Sequence, residues 1–263
     1  MARLLAALAS VFVLAAAISA QEHTAAWVAS QVQDRDTGRD SRAEMRMRLF
    51  DRQRRVRERT MTLLALEGAG DAGDRTLLRF TYPNDIRGTA FLVWEHPGED
   101  DERFLYLPAL GRVRRIAGAE KQESFVGSDL SYEDIGGRDL ADYSYTFADT
   151  NASWRAPDGT SHPAWALESR AKDRDARYPR SVSLVLKDRF IIVHADVFNR
   201  RDEREKVLDV RRLERVEGIW TVMDLEVANE RERTRTELAT TAVDYNTGLA
   251  ADDFTRRRLE NPR

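Results

Sequence analysis

Twelve short runs in which apolar and polar residues alternate with a period near two dominate this sequence. They lie at 46–49, 60–66, 77–82, 89–94, 104–107, 143–147, 165–169, 181–186, 190–197, 207–213, 220–228 and 234–241. Successive side chains of a β-strand point to opposite faces, so such a run can bury one face and wet the other. Turn-forming residues separate the runs, among them GDAGD at 70–74, YPND at 82–85, PGED at 97–100 and PDG at 157–159. Strands do not alternate with helical segments, so a parallel sheet is not expected. The pattern predicts an antiparallel meander that closes or nearly closes into a barrel. No Pro/Gly/Ser linker, internal repeat or low-complexity stretch divides the chain, and 21–263 is expected to form one domain.

Two strands break the alternation. Ala90-Phe91-Leu92-Val93-Trp94 and Phe104-Leu105-Tyr106-Leu107 are apolar on both faces and need cover on both sides. The candidates for the second cover are a helix near the N-terminus and the loop at 112–140. Residues 24–36 carry Trp27, Val28 and Val32 at helical spacing and end in the polar run Asp34-Arg35-Asp36-Thr37-Gly38. In the late strands the buried face is readable. Met223, Leu225 and Val227 share one face with Thr221, opposite Asp224 and Glu226, and Thr234, Thr236 and Leu238 oppose Arg235 and Glu237.

The first twenty residues read as an export signal. Arg3 precedes an apolar run from Leu4 to Ile18 broken only by Ser10, and Ile18-Ser19-Ala20 supplies small residues before Gln21. That run is shorter than the ~20 residues of a membrane-spanning helix. Removing 1–20 takes only Arg3 from the balance and leaves 41 basic against 45 acidic side chains, or −4. Nucleic-acid binding, which needs a strong basic excess, is not expected. The chain has no Cys, so disulfides, thiolate chemistry and a lipidated N-terminal cysteine are excluded. The cations are nearly all Arg, with Lys only at 121, 172, 187 and 206.

Catalytic signatures are missing. His23, His96, His162 and His194 stand far apart, with no HExxH or comparable spacing, and are expected as surface or turn residues. There is no phosphate-binding glycine loop and no GxSxG elbow. Ser128 has no local histidine to act as its base. Asp129, Glu133 and Asp134 lack calcium-loop spacing, and the expectation is a solvated acidic loop facing Arg112, Arg114 and Arg115. Ser128 and Ser131 are also candidate caps for a short helix through Glu133. No cofactor, metal or enzymatic activity is expected.

The block FLYLPALGRVRRIAGAEKQESFVGSDLSYED, running from Phe104 to Asp134, resembles a family of bacterial periplasmic proteins, the outer-membrane lipoprotein-sorting proteins related to the lipoprotein carrier LolA. The likeness extends from Trp27 to about Leu259. It includes DRDTGRD at 34–40, FTYPNDIRGTAFL at 80–92, Tyr178-Pro179, Gly218-Ile219-Trp220-Thr221 and Phe254-Thr255. The stretch 155–175 departs from the relatives, which commonly carry a longer polar turn there.

The resemblance implies a mainly β fold with a few helices: an incomplete antiparallel β-barrel with a helical and loop lid over an apolar concave face. It implies a periplasmic carrier of lipoprotein acyl chains or lipid, working as a monomer. It also implies an inner-membrane transporter of the resistance-nodulation-division type as partner. On that reading Phe80, Phe91, Val93, Phe104, Tyr106, Met223 and Leu225 are the candidate cavity wall. Tyr106 would set its ring against cargo and its hydroxyl near the rim. Phe125, Ser128, Asp129 and Tyr132 would form a lid or mouth, and Arg112, Arg114 and Arg115 would meet a partner's acids or anionic headgroups. A second reading keeps the scaffold but makes it a protein-binding regulator or adaptor without lipid cargo, because fold alone does not fix function.

Overall fold

The computed structural model describes residues 23–69 and 72–261; the expected export signal at 1–20 lies outside the described residues. The chain begins with helix α1 (Ala25–Gln33), whose N-cap Thr24 accepts the Trp27 N–H on its hydroxyl at 3.1 Å. Ala25, Val28 and Ala29 form its buried face. Gly38, at φ +75°, turns the chain into the first strand.

Six antiparallel strands follow: β1 (Asp40–Phe50), β2 (Val56–Leu66), β3 (Arg75–Tyr82), β4 (Ala90–Trp94), β5 (Glu102–Leu107) and β6 (Arg112–Ile116). A second series comprises β7 (Tyr143–Asp149), β8 (Ser153–Arg155), β9 (Ser161–Ala171), β10 (Arg180–Leu186), β11 (Ile192–Phe198), β12 (Arg204–Val216), β13 (Ile219–Asn229) and β14 (Thr234–Tyr245). The two series join through β1 and β14, giving the order β6-β5-β4-β3-β2-β1-β14-β13-β12-β11-β10-β9-β7, with β8 paired to β9. The sheet does not close. Its two ends, β6 and β7, are consecutive in sequence, and the segment 117–142 between them carries the short helix α2 (Tyr132–Gly136). Mainly-β architecture and an incomplete antiparallel barrel are what the alternating runs led us to expect.

The basic stretch after Pro108 is a strand, not a loop. Val113 pairs with Tyr106 and Ile116 with Arg103, leaving Arg112, Arg114 and Arg115 exposed on the edge strand. The doubly apolar strands do receive two covers. Phe91, Val93 and Leu105 pack on one face against Phe125, Leu130 and Tyr132 from the 117–142 segment. Ala90, Leu92 and Phe104 pack on the other against Phe254 and Leu259, and Leu259 belongs to the C-terminal helix α3 (Arg256–Glu260). Helix α1, expected as a cover for these strands, instead packs at the far end of the sheet. There its Ala25, Val28 and Ala29 meet Leu167 and Val185, with Tyr145, Phe147, Trp165 and Ile192 around them.

Candidate functional site

The 117–142 segment is a plug folded on itself and riveted to the concave face. The Phe125 N–H donates to Leu130 O at 2.7 Å, and the Ser124 hydroxyl donates to Ser128 O at 2.6 Å. Ser128 donates its own hydroxyl to Phe125 O at 2.8 Å, so it is a structural hydroxyl spent on backbone. Ser131, not Ser128, caps α2: it accepts the Asp134 N–H at 3.0 Å while the Asp134 carboxylate accepts the Ser131 N–H at 2.8 Å.

Asp129 fixes the plug to the sheet. Its carboxylate accepts the hydroxyls of Thr234 and Thr236 on β14, and its carbonyl accepts from the Lys206 ammonium on β12 at 2.6 Å. Arg59 adds a bond from its guanidinium to Val126 O. Near the end of α2, Arg103 donates to Gly137 O and to Asp101, both at 2.9 Å. Its Nε lies 3.1 Å from where a Cβ on Gly136 would stand, so a side chain there would press on Arg103.

These bonds correct the expectation for the acidic loop. Asp129 and Glu133 are buried, and neither faces the β6 arginines. Arg114 pairs with Glu120 at 3.4 Å and Arg115 with Glu102 at 4.0 Å. Phe125 and Tyr132 are not at a rim either. They are 0% and 5% exposed, and Phe125 packs its ring 5.9 Å from Phe80 and 5.5 Å from Phe91.

The plug does not fill the whole hollow. Beside it, between the concave face of β7 and β9–β13, α2 and α1, lies a cavity of about 370 Å³. Strand register gives this cavity a polarity. Lys206, Val197, Ser181, Ser169 and Tyr145 stand opposite one another across successive strands. Leu208, Ala195, Ser183 and Leu167 form the next row. Ile192 follows, packed with α1, whose Ala29 and Val32 also line the cavity. Thus the wall runs from charged and hydroxyl-bearing to largely apolar.

At the polar end Ser169 and Ser181 share a hydrogen bond of 2.7 Å, and the Tyr143 hydroxyl donates to Glu133 at 3.0 Å. Burial pushes the Lys206 ammonium below its ordinary pKa and the Tyr178 and Tyr143 phenols above theirs. A second pocket of about 330 Å³ lies on the β1, β2, β13 and β14 side, and Glu95 lines both. Burial, then the charges of Asp74 and Asp101, push the Glu95 carboxyl up to about 7.

Of the seven expected wall residues, only Leu225 lines the larger cavity. Phe80, Phe91 and Val93 do face the concave side but are sealed under the plug. Phe104 and Tyr106 belong to the opposite face, beneath the C-terminal helix, because odd and even positions of β5 point apart. Met223 is buried on β13 without lining the cavity. Sequence reasoning missed Tyr145, Leu167, Ile192, Ala195, Val197 and Leu208. For Ala195, Val197 and Leu208 the signal was the small or aliphatic residue at alternate positions of β11 and β12. Among the histidines, His194 is not a bare surface residue: its Nδ1 lies 2.8 Å from Asp209 and its Nε2 3.6 Å from Asp196.

A family model described only as that of an uncharacterized protein matches residues 72–261. A solved structure of a DUF1329 family protein from Desulfovibrio piger is 32% identical, with a TM-score of 0.79, covering 89% of this chain and 97% of that one. The chain belongs to the DUF1329 family. A domain from Vibrio parahaemolyticus provisionally assigned to outer-membrane lipoprotein sorting matches this DUF1329 chain equally well in shape. It has 30% identity, a TM-score of 0.79 and the same coverage of 89% and 97%. A LolA superfamily protein from Nitrosomonas europaea, at 14% identity and TM-score 0.66 over 89% of this chain and 99% of that one, shares the fold. No curated protein matches.

Proposed function

We propose that this DUF1329 protein is a periplasmic carrier that shelters an acyl chain of a lipoprotein or lipid in the cavity between the plug, α1 and the β7–β13 side of the sheet. The observation that carries the reading is the unfilled part of the concave face. Its volume of about 370 Å³ falls in the range of roughly 300–1,000 Å³ typical of ligand pockets. Its wall is apolar toward Ile192, Leu167, Ala29 and Val32 and polar toward Lys206 and Ser181. An amphiphile is suited to such a wall, with its tail toward α1 and its polar part toward Lys206. Burial of hydrocarbon, about 0.8 kcal/mol per CH₂, supplies the affinity. The relative assigned to lipoprotein sorting is consistent with this cargo class.

In this reading residues 1–20 direct export and are removed, and 21–263 act as one folded unit and a monomer. Arg112, Arg114 and Arg115 on the edge strand meet acidic groups of a partner or anionic headgroups, an inner-membrane transporter of the resistance-nodulation-division type being the candidate partner. Phe125, Ser128, Asp129 and Tyr132 serve as plug and rivet, while Leu225 belongs to the wall.

The test is native mass spectrometry of protein from its own cells, paired with displacement of a fluorescent fatty acid. Lipid adducts and saturable displacement are expected. Ala195→Phe and Leu225→Phe, which add bulk to the wall, should each weaken binding while the thermal transition persists. A lipid-free protein that also ignores the fatty acid would end the proposal.

A further inference from the structure

Three large apolar side chains stand out in solvent among the described residues: Val56 at 47%, Tyr82 at 51% and Leu110 at 56% exposure. They come from separate parts of the sequence, yet topology brings them to one end of the sheet. Val56 opens β2 after the β1–β2 turn, Tyr82 closes β3 before the β3–β4 turn, and Leu110 sits in the β5–β6 turn. These three hairpins are consecutive in the sheet, and their turns point the same way because the strands alternate in direction.

Register confirms that the tips are neighbours. Thr60 of β2 pairs with Tyr82, and a Cβ on Gly88, in the β3–β4 turn, would lie 3.3 Å from Pro108, beside Leu110. At about 4.8 Å per strand, the three apolar residues span roughly 20 Å.

The same tips concentrate positive charge. Arg52, Arg54, Arg55, Arg57, Arg87 and Arg112 are all exposed there, against Asp51, Glu58 and Asp85. That local excess of three positive charges stands in a chain whose net charge is −3. Among the described residues only Arg55 of these six reaches a carboxylate, Asp51 at 2.6 Å. The other five reach no carboxylate, although Arg87 donates its Nε to Thr81 O at 3.0 Å, and their remaining N–H groups are available to an outside anion.

We propose that this end of the sheet docks onto an anionic lipid surface. Leu110, Tyr82 and Val56 enter the headgroup region, and the surrounding arginines pair with lipid phosphates. Tyr suits that depth because its ring is apolar and its hydroxyl is wet. Arg reaches phosphate while its methylenes stay among apolar groups. The shape favours a bilayer over a protein. A specific protein interface buries about 800 Å² of continuous surface per partner, whereas here the exposed apolar residues are single side chains on three separate turns, set among arginines. The proposal goes beyond the carrier reading and does not depend on what the cavity holds.

Flotation with vesicles tests it, using the protein purified from its own cells. Vesicles of phosphatidylcholine alone are compared with vesicles that also contain phosphatidylglycerol. The expected result is flotation with the anionic vesicles only, weakened by added salt. The pair Leu110→Ser with Tyr82→Ser should lower partitioning by about tenfold or more, and Arg57→Glu with Arg112→Glu should abolish the preference for anionic lipid. All these sites are exposed, so the thermal transition should not move, and every variant shares the parent's N-terminus. The proposal is overturned if the serine pair floats like the parent or if anionic lipid makes no difference. It is equally overturned if the protein binds native membranes but neither pure-lipid vesicle, which would make a protein the occupant. Fatty-acid displacement reports on the cavity separately, so neither failure masks the other.

Discussion

The Lys206 ammonium on β12 donates to the carbonyl oxygen of Asp129 at 2.6 Å, while the Asp129 carboxylate takes two threonine hydroxyls from β14. One residue of the plug is therefore tied to two strands that β13 separates. Its burial is tolerable because each polar atom has a partner.

Asp129→Ala removes that carboxylate and leaves Thr234 and Thr236 without their acceptor. Losing one member of a buried hydrogen-bonded set costs about 1–3 kcal/mol, so urea denaturation should show a loss in that range. Hydrogen exchange should rise in 123–137 more than in β12 or β14. Uniform exchange across the protein would mean that Asp129 is only a general packing residue.

Glu95 gives the protein a pH dependence. Its folded pKa is raised to about 7 from 4.5, so the folded state holds a proton that the unfolded state releases. Stability from this group is full below about 4.5 and is lost as pH rises through about 7, amounting to about 3 kcal/mol at most. Denaturation midpoints should fall between pH 5 and pH 8 in the parent, and Glu95→Gln should flatten that slope. A slope unchanged by the substitution would assign the effect elsewhere.

His194 acts in the same direction by a different cause. Its hydrogen bond to Asp209 raises its pKa above the ordinary 6.5, against the opposing effect of partial burial. The pair therefore stabilises fully below 6.5 and fades as pH rises past the folded value. Asp209→Asn should lower the His194 pKa in an NMR titration of the ring protons, and solvent exposure keeps the stability change small. An unmoved titration would show that the 2.8 Å contact is not the cause.

The strands were legible because period-two alternation survives wherever one face is wet, as in Thr221 to Val227. Phe104 and Tyr106 show where legibility ended. A strand buried on both faces offers no polar side to mark which apolar residues look inward, so the wall could not be separated from the residues under α3. The plug was hidden for a related reason. Asp129 and Glu133 read as surface acids until Thr234, Thr236 and Tyr143, more distant in sequence, are seen to bind them. β6 was missed because three arginines in five positions lack alternation; only Val113 and Ile116 point toward protein.

Phe125→Ala separates a plug from ordinary core. The ring is fully buried among Phe80, Phe91 and Tyr132, and its truncation should cost about 3–5 kcal/mol if the surroundings cannot collapse. It also opens a void on the same concave face that holds the existing cavity. An acyl carrier gains usable surface there, so longer fatty acids should bind more tightly to the variant than to the parent, while short ones change little. The comparison is made by fluorescent displacement over a chain-length series, below the variant's lowered thermal midpoint. A variant that loses stability without any change in chain-length preference would show that Phe125 only fills the core and that the plugged part of the hollow is closed to cargo.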